Sequence, residues 1–271
     1  MNFLPFYHIY TFPKIDPFVV QFTETMGVRW YGLMYVIGFL SFLLLGKLRA
    51  RRPNSPVTPE QVDDMMFYGA IGVIVGGRMG EMFFYKFSQL VADPLSLFKI
   101  WEGGMSFHGG IIGVTIAMLI LAKKWGVAPL KIGDFIAPLV PIGLGAGRMG
   151  NFINGELWGR PTDVSWGMIF EHVDQQPRHP SQLYEVLGEG VLLFILVWFY
   201  SKKPRPTGAV TGLFLLGYGV ARSFVEFFRT PDNSDFLGIE WLTQGQLLSI
   251  PMIIIGLFLI FWAYKHKETT V

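Results

Sequence analysis

Cysteine is absent from the chain, which excludes disulfides, thiolate metal ligands and a cysteine nucleophile and leaves the redox compartment open. Charge is scarce too: 15% of the 271 residues are Asp, Glu, Lys or Arg, against 51% hydrophobic ones. With a mean hydropathy of +0.42, such a chain is poorly suited to a soluble surface and reads as a polytopic membrane protein. Also missing are an HExxH zinc pair, a GxSxG elbow, a Walker loop and a GxGxxG fingerprint, which removes the commonest hydrolase and nucleotide-binding readings. His8, His108, His172, His179 and His266 are the only histidines, and they form no metal-ligand cluster in sequence.

What is present is apolar runs. A bilayer core needs about 20 mainly apolar residues as a helix, and seven segments qualify: 29 to 47, 64 to 86, 108 to 123, 132 to 149, 182 to 201, 209 to 229 and 244 to 264. The fourth holds Pro138 and Pro141 and ends among glycines, so a kink or break is expected there. The fold class is all-α with seven transmembrane helices. Basic residues set the orientation. Lys47, Arg49, Arg51, Arg52, Lys123, Lys124, Lys131, Lys202, Lys203, Arg205, Lys265 and Lys267 give twelve on one side, against seven on the other. The positive-inside rule then puts the N-terminus outside and the C-terminus in the cytoplasm. Residues 1 to 28 lack a basic n-region and are broken by Pro5, Pro13 and Pro17, so they read as an interfacial arm and not a secretory signal. Residues 150 to 181, with a strand-like run from Ser165 to Phe170, read as a small outer-face cap.

Charges inside the spans carry the chemistry, because an intramembrane ionisable residue is costly and a functional candidate by default. Residues 147 to 159 place Arg148, Asn151, Asn154, Glu156 and Gly159 at the end of the fourth span. Arg148 needs an anion, and a lipid phosphate is favoured over a protein carboxylate; the two amides and Glu156 could instead satisfy a broken helix end. Tyr218, Arg222, Glu226 and Arg229 share one stripe of the sixth span, with two arginines against one glutamate. In the second span Gly72, Gly76 and Gly80 suit close helix packing. Arg78 there is open to two readings, an ion pair with Glu81 or another span, and ligand contact. Ser106 is a candidate cap for the third span. Beside it, His108 is a candidate general base or phosphate donor, because a histidine side chain exchanges its proton more readily near neutral pH than other side chains. His172 and His179 read as structural, and Tyr31 as an aromatic-belt residue. With this orientation, Arg78, His108, Arg148, Arg222 and Arg229 all fall in the outer half, as a positively charged pocket matched to an anionic headgroup.

The run Gly147 to Gly159 resembles the signature of the bacterial prolipoprotein diacylglyceryl transferases. Phe107 to Gly110 resembles that family's histidine motif, Arg178 to Glu185 its fifth-span entrance, and Tyr218 to Arg229 its sixth-span arginine motif; Tyr31 falls where the family has a functional tyrosine. The resemblance implies transfer of the diacylglyceryl group of phosphatidylglycerol to the lipobox cysteine of a prolipoprotein signal peptide, in the bacterial inner membrane. It implies His108, Arg148 and Arg222 as catalytic residues. For phosphatidylglycerol it implies Arg148, Tyr31, Asn151, Asn154, Glu156, Gly159, Tyr218, Glu226 and Arg229 as binding residues. No metal, cofactor or nucleic acid is called for. An anion transporter or a lipid-binding scaffold without chemistry would carry the same arginines; the lack of comparable charge in the inner half argues against the transporter.

Overall fold

A computed structural model of the protein describes residues 10–23, 26–99, 103–231, 243–266 and 269–270; His8 and Lys267 lie outside them. The chain is mostly helical: α1 Trp30–Ala50, α2 Pro59–Phe84, α3 Phe87–Ala92, α4 Phe107–Trp125, α5 Pro129–Ile136 and α6 Val140–Ile153 come first. A continuous run follows in which α7 Ser181–Glu185 passes through a π-helical turn, Val186–Leu192, into α8 Leu193–Tyr200; α9 Ala209–Val225 and α10 Gln244–His266 complete the series. Among the described residues, four helices, Trp30–Ala50, Phe107–Trp125, Ser181–Tyr200 and Gln244–His266, are long and apolar enough to cross a membrane, and the interrupted pair α5 and α6 makes a fifth, against the seven spans expected. The interruption falls at Ala137 to Leu139, where Pro138 withholds a backbone donor and Pro141 sits in the first turn of α6. α9 is apolar but has only 17 residues, ending at Val225 with Glu226 as its cap, so Arg229 lies beyond the helix instead of within it.

Two compact units divide the chain, one of Leu43–Phe135 with Thr270–Val271 and one of Met1–Phe42 with Ile136–Thr269. In the first, α2 starts on a capping box: Thr58 Oγ1 accepts from Gln61 N at 3.3 Å, and the Gln61 side chain accepts from Thr58 N at 2.9 Å. The glycine row then packs against α4 as expected. A Cβ on Gly76 would lie 2.3 Å from Gly109 O, and one on Gly113 would lie 2.0 Å from Gly72 O. Only bare backbones allow that approach, and van der Waals packing is what holds helices together in lipid. Arg49, counted above as a loop charge, is instead buried in the last turn of α1; its Nη2 donates to Asp134 O at 3.3 Å and its guanidinium lies over Phe135.

In the other unit, Ala137, Leu193, Val197 and Val210 form a buried apolar cluster bordered by Leu213, Phe214 and Tyr218. The arm and the cap share a small sheet. Met168–Ile169 (β4), inside the expected run 165 to 170, pairs in parallel with Tyr10–Thr11 (β1) and antiparallel with Pro177–Arg178 (β5). Phe18–Gln21 (β2) and Gly27–Arg29 (β3) form a separate antiparallel pair leading into α1.

Candidate active site

An arginine in an apolar helix must find an acid, and three of them do so together. Arg148 Nε of α6 lies 3.4 Å from Glu189 Oε2 and 3.5 Å from Glu185 Oε2. Arg222 of α9 reaches Glu185 Oε1 at 2.8 Å and Glu226 Oε2 at 2.9 Å, and Arg229 Nη1 lies 3.8 Å from the same Glu226 oxygen. Glu185 thus bridges Arg148 and Arg222. Glu185 and Glu189 are fully buried, and Glu226 is 2% exposed. Two readings change here. The Arg148 guanidinium is met by protein carboxylates, and the sixth-span stripe is not net positive, because Glu185 from the fifth span joins it. Neither Glu185 nor Glu189 was weighed as an intramembrane charge in the sequence. They stand four apart where α7 gives way to the π-helical turn, a winding that recurs at functional sites. Removing one partner of such a buried pair costs about 3 to 5 kcal/mol, because it strands the other charge.

Arg148 presents only one edge to these acids. Its terminal nitrogens make no hydrogen bond among the described residues, and the side chain remains 21% exposed. The guanidinium is therefore held through Nε, and its terminal nitrogens keep donors without a hydrogen-bond partner among the described residues. Tyr218 adjoins the group from α9, stacked on Phe214.

The loop after α6 spends its polar groups on itself. Asn151 Nδ2 donates to Glu156 Oε1 at 2.8 Å and Asn154 Nδ2 donates to the same oxygen at 3.3 Å, while Glu156 N donates to Asn151 O. This is the helix-end arrangement, so the two amides and Glu156 are mutual partners first. Leu157 follows with φ 58°, a left-handed conformation that costs a non-glycine residue about 1 kcal/mol or more. Gln182 Nε2, donating to Glu156 O at 2.6 Å, and Ser181 Oγ, donating to Leu157 O at 3.0 Å, hold the turn from α7. Gln182 is wholly buried and was quoted in the sequence only as part of a motif. Gly159, expected on the lipid headgroup, is buried between backbones: a Cβ there would lie 2.4 Å from His179 O and 2.6 Å from Phe228 O.

Tyr31 packs on Gly150 of α6 and lines a cavity of about 940 Å³ with Arg29, Val36, Ile153, Asn154 and His172. Both cap histidines, read from the sequence as structural, have protein partners. His172 Nε2 lies 2.7 Å from Gly155 O among Phe12, Trp158 and Phe170, and His179 Nδ1 lies 3.0 Å from Tyr184 Oη. Outside the spans, the hydrogen bond from Arg178 holds the Asp174 carboxyl below its ordinary pKa, and burial pushes the His179 imidazole down.

Arg78 and His108 belong to the Leu43–Phe135 unit. Neither sequence reading of Arg78 holds. Its guanidinium is 3% exposed and donates to the carbonyls of Ser96, Leu97, Gly103 and Gly104, while Glu81 pairs with Lys86 at 3.3 Å. Ser106 caps α4, its Oγ accepting from Gly109 N at 3.2 Å. His108 stands in that first turn, exposed, with a ring contact to Phe107 and no hydrogen bond among the described residues.

A family model described as prolipoprotein diacylglyceryl transferase matches residues 17–262. The chain belongs to this family. It is 58% identical over 257 residues to a phosphatidylglycerol–prolipoprotein diacylglyceryl transferase of Nitrosomonas europaea, covering 94% of this chain and 92% of the relative. It is 56% identical to one from Legionella pneumophila, covering 94% and 99%, and 55% identical to one from Coxiella burnetii, covering 95% and 98%.

Proposed function

We propose that this protein transfers the diacylglyceryl group of phosphatidylglycerol to the lipobox cysteine thiol of prolipoproteins, the first step of lipoprotein maturation. It works as a seven-span protein of the bacterial cytoplasmic membrane, N-terminus outside and C-terminus inside, with the reaction in the outer half. The observation that carries this reading is the Glu185 bridge between Arg148 and Arg222, which leaves the Arg148 fork open.

In the reaction, the cysteine thiolate attacks the glycerol carbon bonded to the phosphate oxygen. The carbon–sulfur bond forms as that carbon–oxygen bond breaks, and the electron pair leaves with the phosphate, giving a thioether and glycerol phosphate. Charge builds on the departing phosphate, where preorganised guanidinium groups stabilise it most. Arg148 and Arg222 take that role. Arg229 and Glu226 orient Arg222, and Tyr218, Tyr31 and the 151 to 156 loop shape the headgroup side. His108 takes the thiol proton, since a free cysteine of pKa near 8.5 is mostly protonated at neutral pH. The chain brings no cysteine of its own, so the nucleophile arrives with the substrate.

Incubating purified protein with phosphatidylglycerol and a lipobox peptide should give a thioether-linked diacylglyceryl group and glycerol phosphate in equal amounts. Phosphatidylglycerol bound but never consumed by the folded protein would refute the reading. For His108, the His108→Gln protein should lose the neutral-range limb of its pH profile; an unchanged profile and rate would remove His108 from the chemistry.

A further inference from the structure

Glu189 is the buried acid that pairing alone does not explain. Glu185 serves Arg148 and Arg222, and Glu226 serves Arg222 and Arg229. Among the described residues Glu189 forms an ion pair only with Arg148, which Glu185 already holds, yet its side chain is wholly buried and its Oε1 has no hydrogen-bond partner there. A carboxylate in that state is expensive, and an apolar residue of similar volume would often cost less. Its effect on the network is one of charge. Taking Glu189 away would make the surroundings of Arg148 more positive by one charge.

That change matters most for what the site must release. Resting on the function proposed above, the substrate carries a phosphodiester with one negative charge, and the product is a phosphomonoester carrying up to two. A site with surplus positive charge would hold the second more tightly than the first, because attraction scales with ligand charge. We propose that Glu189 is a counter-charge: seated beside Arg148 Nε, it keeps the site from retaining glycerol phosphate. It acts through Arg148 and does not itself touch the substrate.

The test uses full-length protein in nanodiscs with Glu189→Gln, which keeps shape and removes charge, and glycerol phosphate as the probe. Calorimetry should show glycerol phosphate binding about tenfold tighter than to the unaltered protein, the size expected for removing one nearby charge. Steady-state turnover should fall by a similar factor while the single-turnover rate stays within about twofold, since chemistry is untouched and release is slowed. Glu189→Asp should restore the original affinity. Unchanged affinity in Glu189→Gln, or single and multiple turnovers falling together, would overturn the proposal. If the glutamine protein does not fold, Glu189→Met removes the same charge and must show the same tightening. Absence of transfer by the unaltered protein would sink the function proposed above, and the binding comparison would still decide the role of Glu189.

Discussion

Two arginine centres of this molecule are buried in opposite ways. Arg78 points into a ring of four backbone carbonyls and is 3% exposed, with its donors spent on the segment before α4. Arg148 and Arg222 are held by carboxylates, and Arg148 keeps its terminal nitrogens free of protein hydrogen bonds among the described residues. Carbonyl dipoles satisfy a guanidinium geometrically and leave nothing for a ligand. Carboxylates at one edge neutralise and aim it while the other edge stays available. An intramembrane arginine is thus a functional candidate only after its partners are counted.

The comparison breaks most visibly if Arg78 is removed. Arg78→Met should destabilise the folded protein by about 3 to 5 kcal/mol, since several carbonyls lose a charged donor at once, with little change in the KM for phosphatidylglycerol of the protein that stays folded. Denaturant unfolding together with transfer kinetics checks both halves. Arg148→Lys should do the reverse: melting almost unchanged, with transfer down about 10² to 10³-fold, because an ammonium cannot reproduce the fork. Full activity in the lysine protein would put the phosphate elsewhere.

A smaller effect separates packing from charge. Gly76→Ala sets a Cβ 2.3 Å from the Gly109 carbonyl, which has no flexible side chain to give way. The helices must part, at about 1 to 3 kcal/mol, and thermal unfolding should show it without altering the phosphatidylglycerol KM. The smallest change belongs to the cap. Asp174 titrates lower in the folded protein than unfolded, so its pairing with Arg178 stabilises the cap above the ordinary carboxylate pKa and is lost as pH falls through the depressed folded value. His179, also depressed, favours the neutral cap and costs stability as pH drops below the ordinary histidine value. Cap amide exchange should therefore quicken on acidification, first below about pH 6.5 and again in the carboxylate range. Asp174→Asn should abolish the second step alone.

Much of this was legible in the sequence. Among the described residues, five of the seven apolar runs fall on four span-length helices and the broken α5–α6 pair, while the runs at 64 to 86 and 209 to 229 fall on α2 and α9, which are not among them; Pro138 and Pro141 marked the break, and the glycine row announced a close helix contact without naming its partner. The arginine site was only half legible. One glutamate for two arginines on the sixth span implied missing acids, and Glu185 and Glu189, four apart in an apolar segment, were there to be matched with them. The carbonyl cage of Arg78 left no such signal, because every residue carries a carbonyl and only the folded chain shows which ones converge. For the two asparagines the sequence left two readings open, because the same residue types serve a ligand or a helix end; the fold shows the helix-end hydrogen bonds.

The central claim is that the Glu185-bridged arginines, and not Arg78, hold the lipid phosphate. Phosphorus NMR of phosphatidylglycerol in nanodiscs tests it without requiring turnover. The unaltered protein and Arg78→Met should both broaden and shift the phosphate resonance of bound lipid, and a protein carrying Arg148→Lys and Arg222→Lys should not. Equal perturbation by the double-lysine protein, or its loss in a folded Arg78→Met protein, would contradict the account.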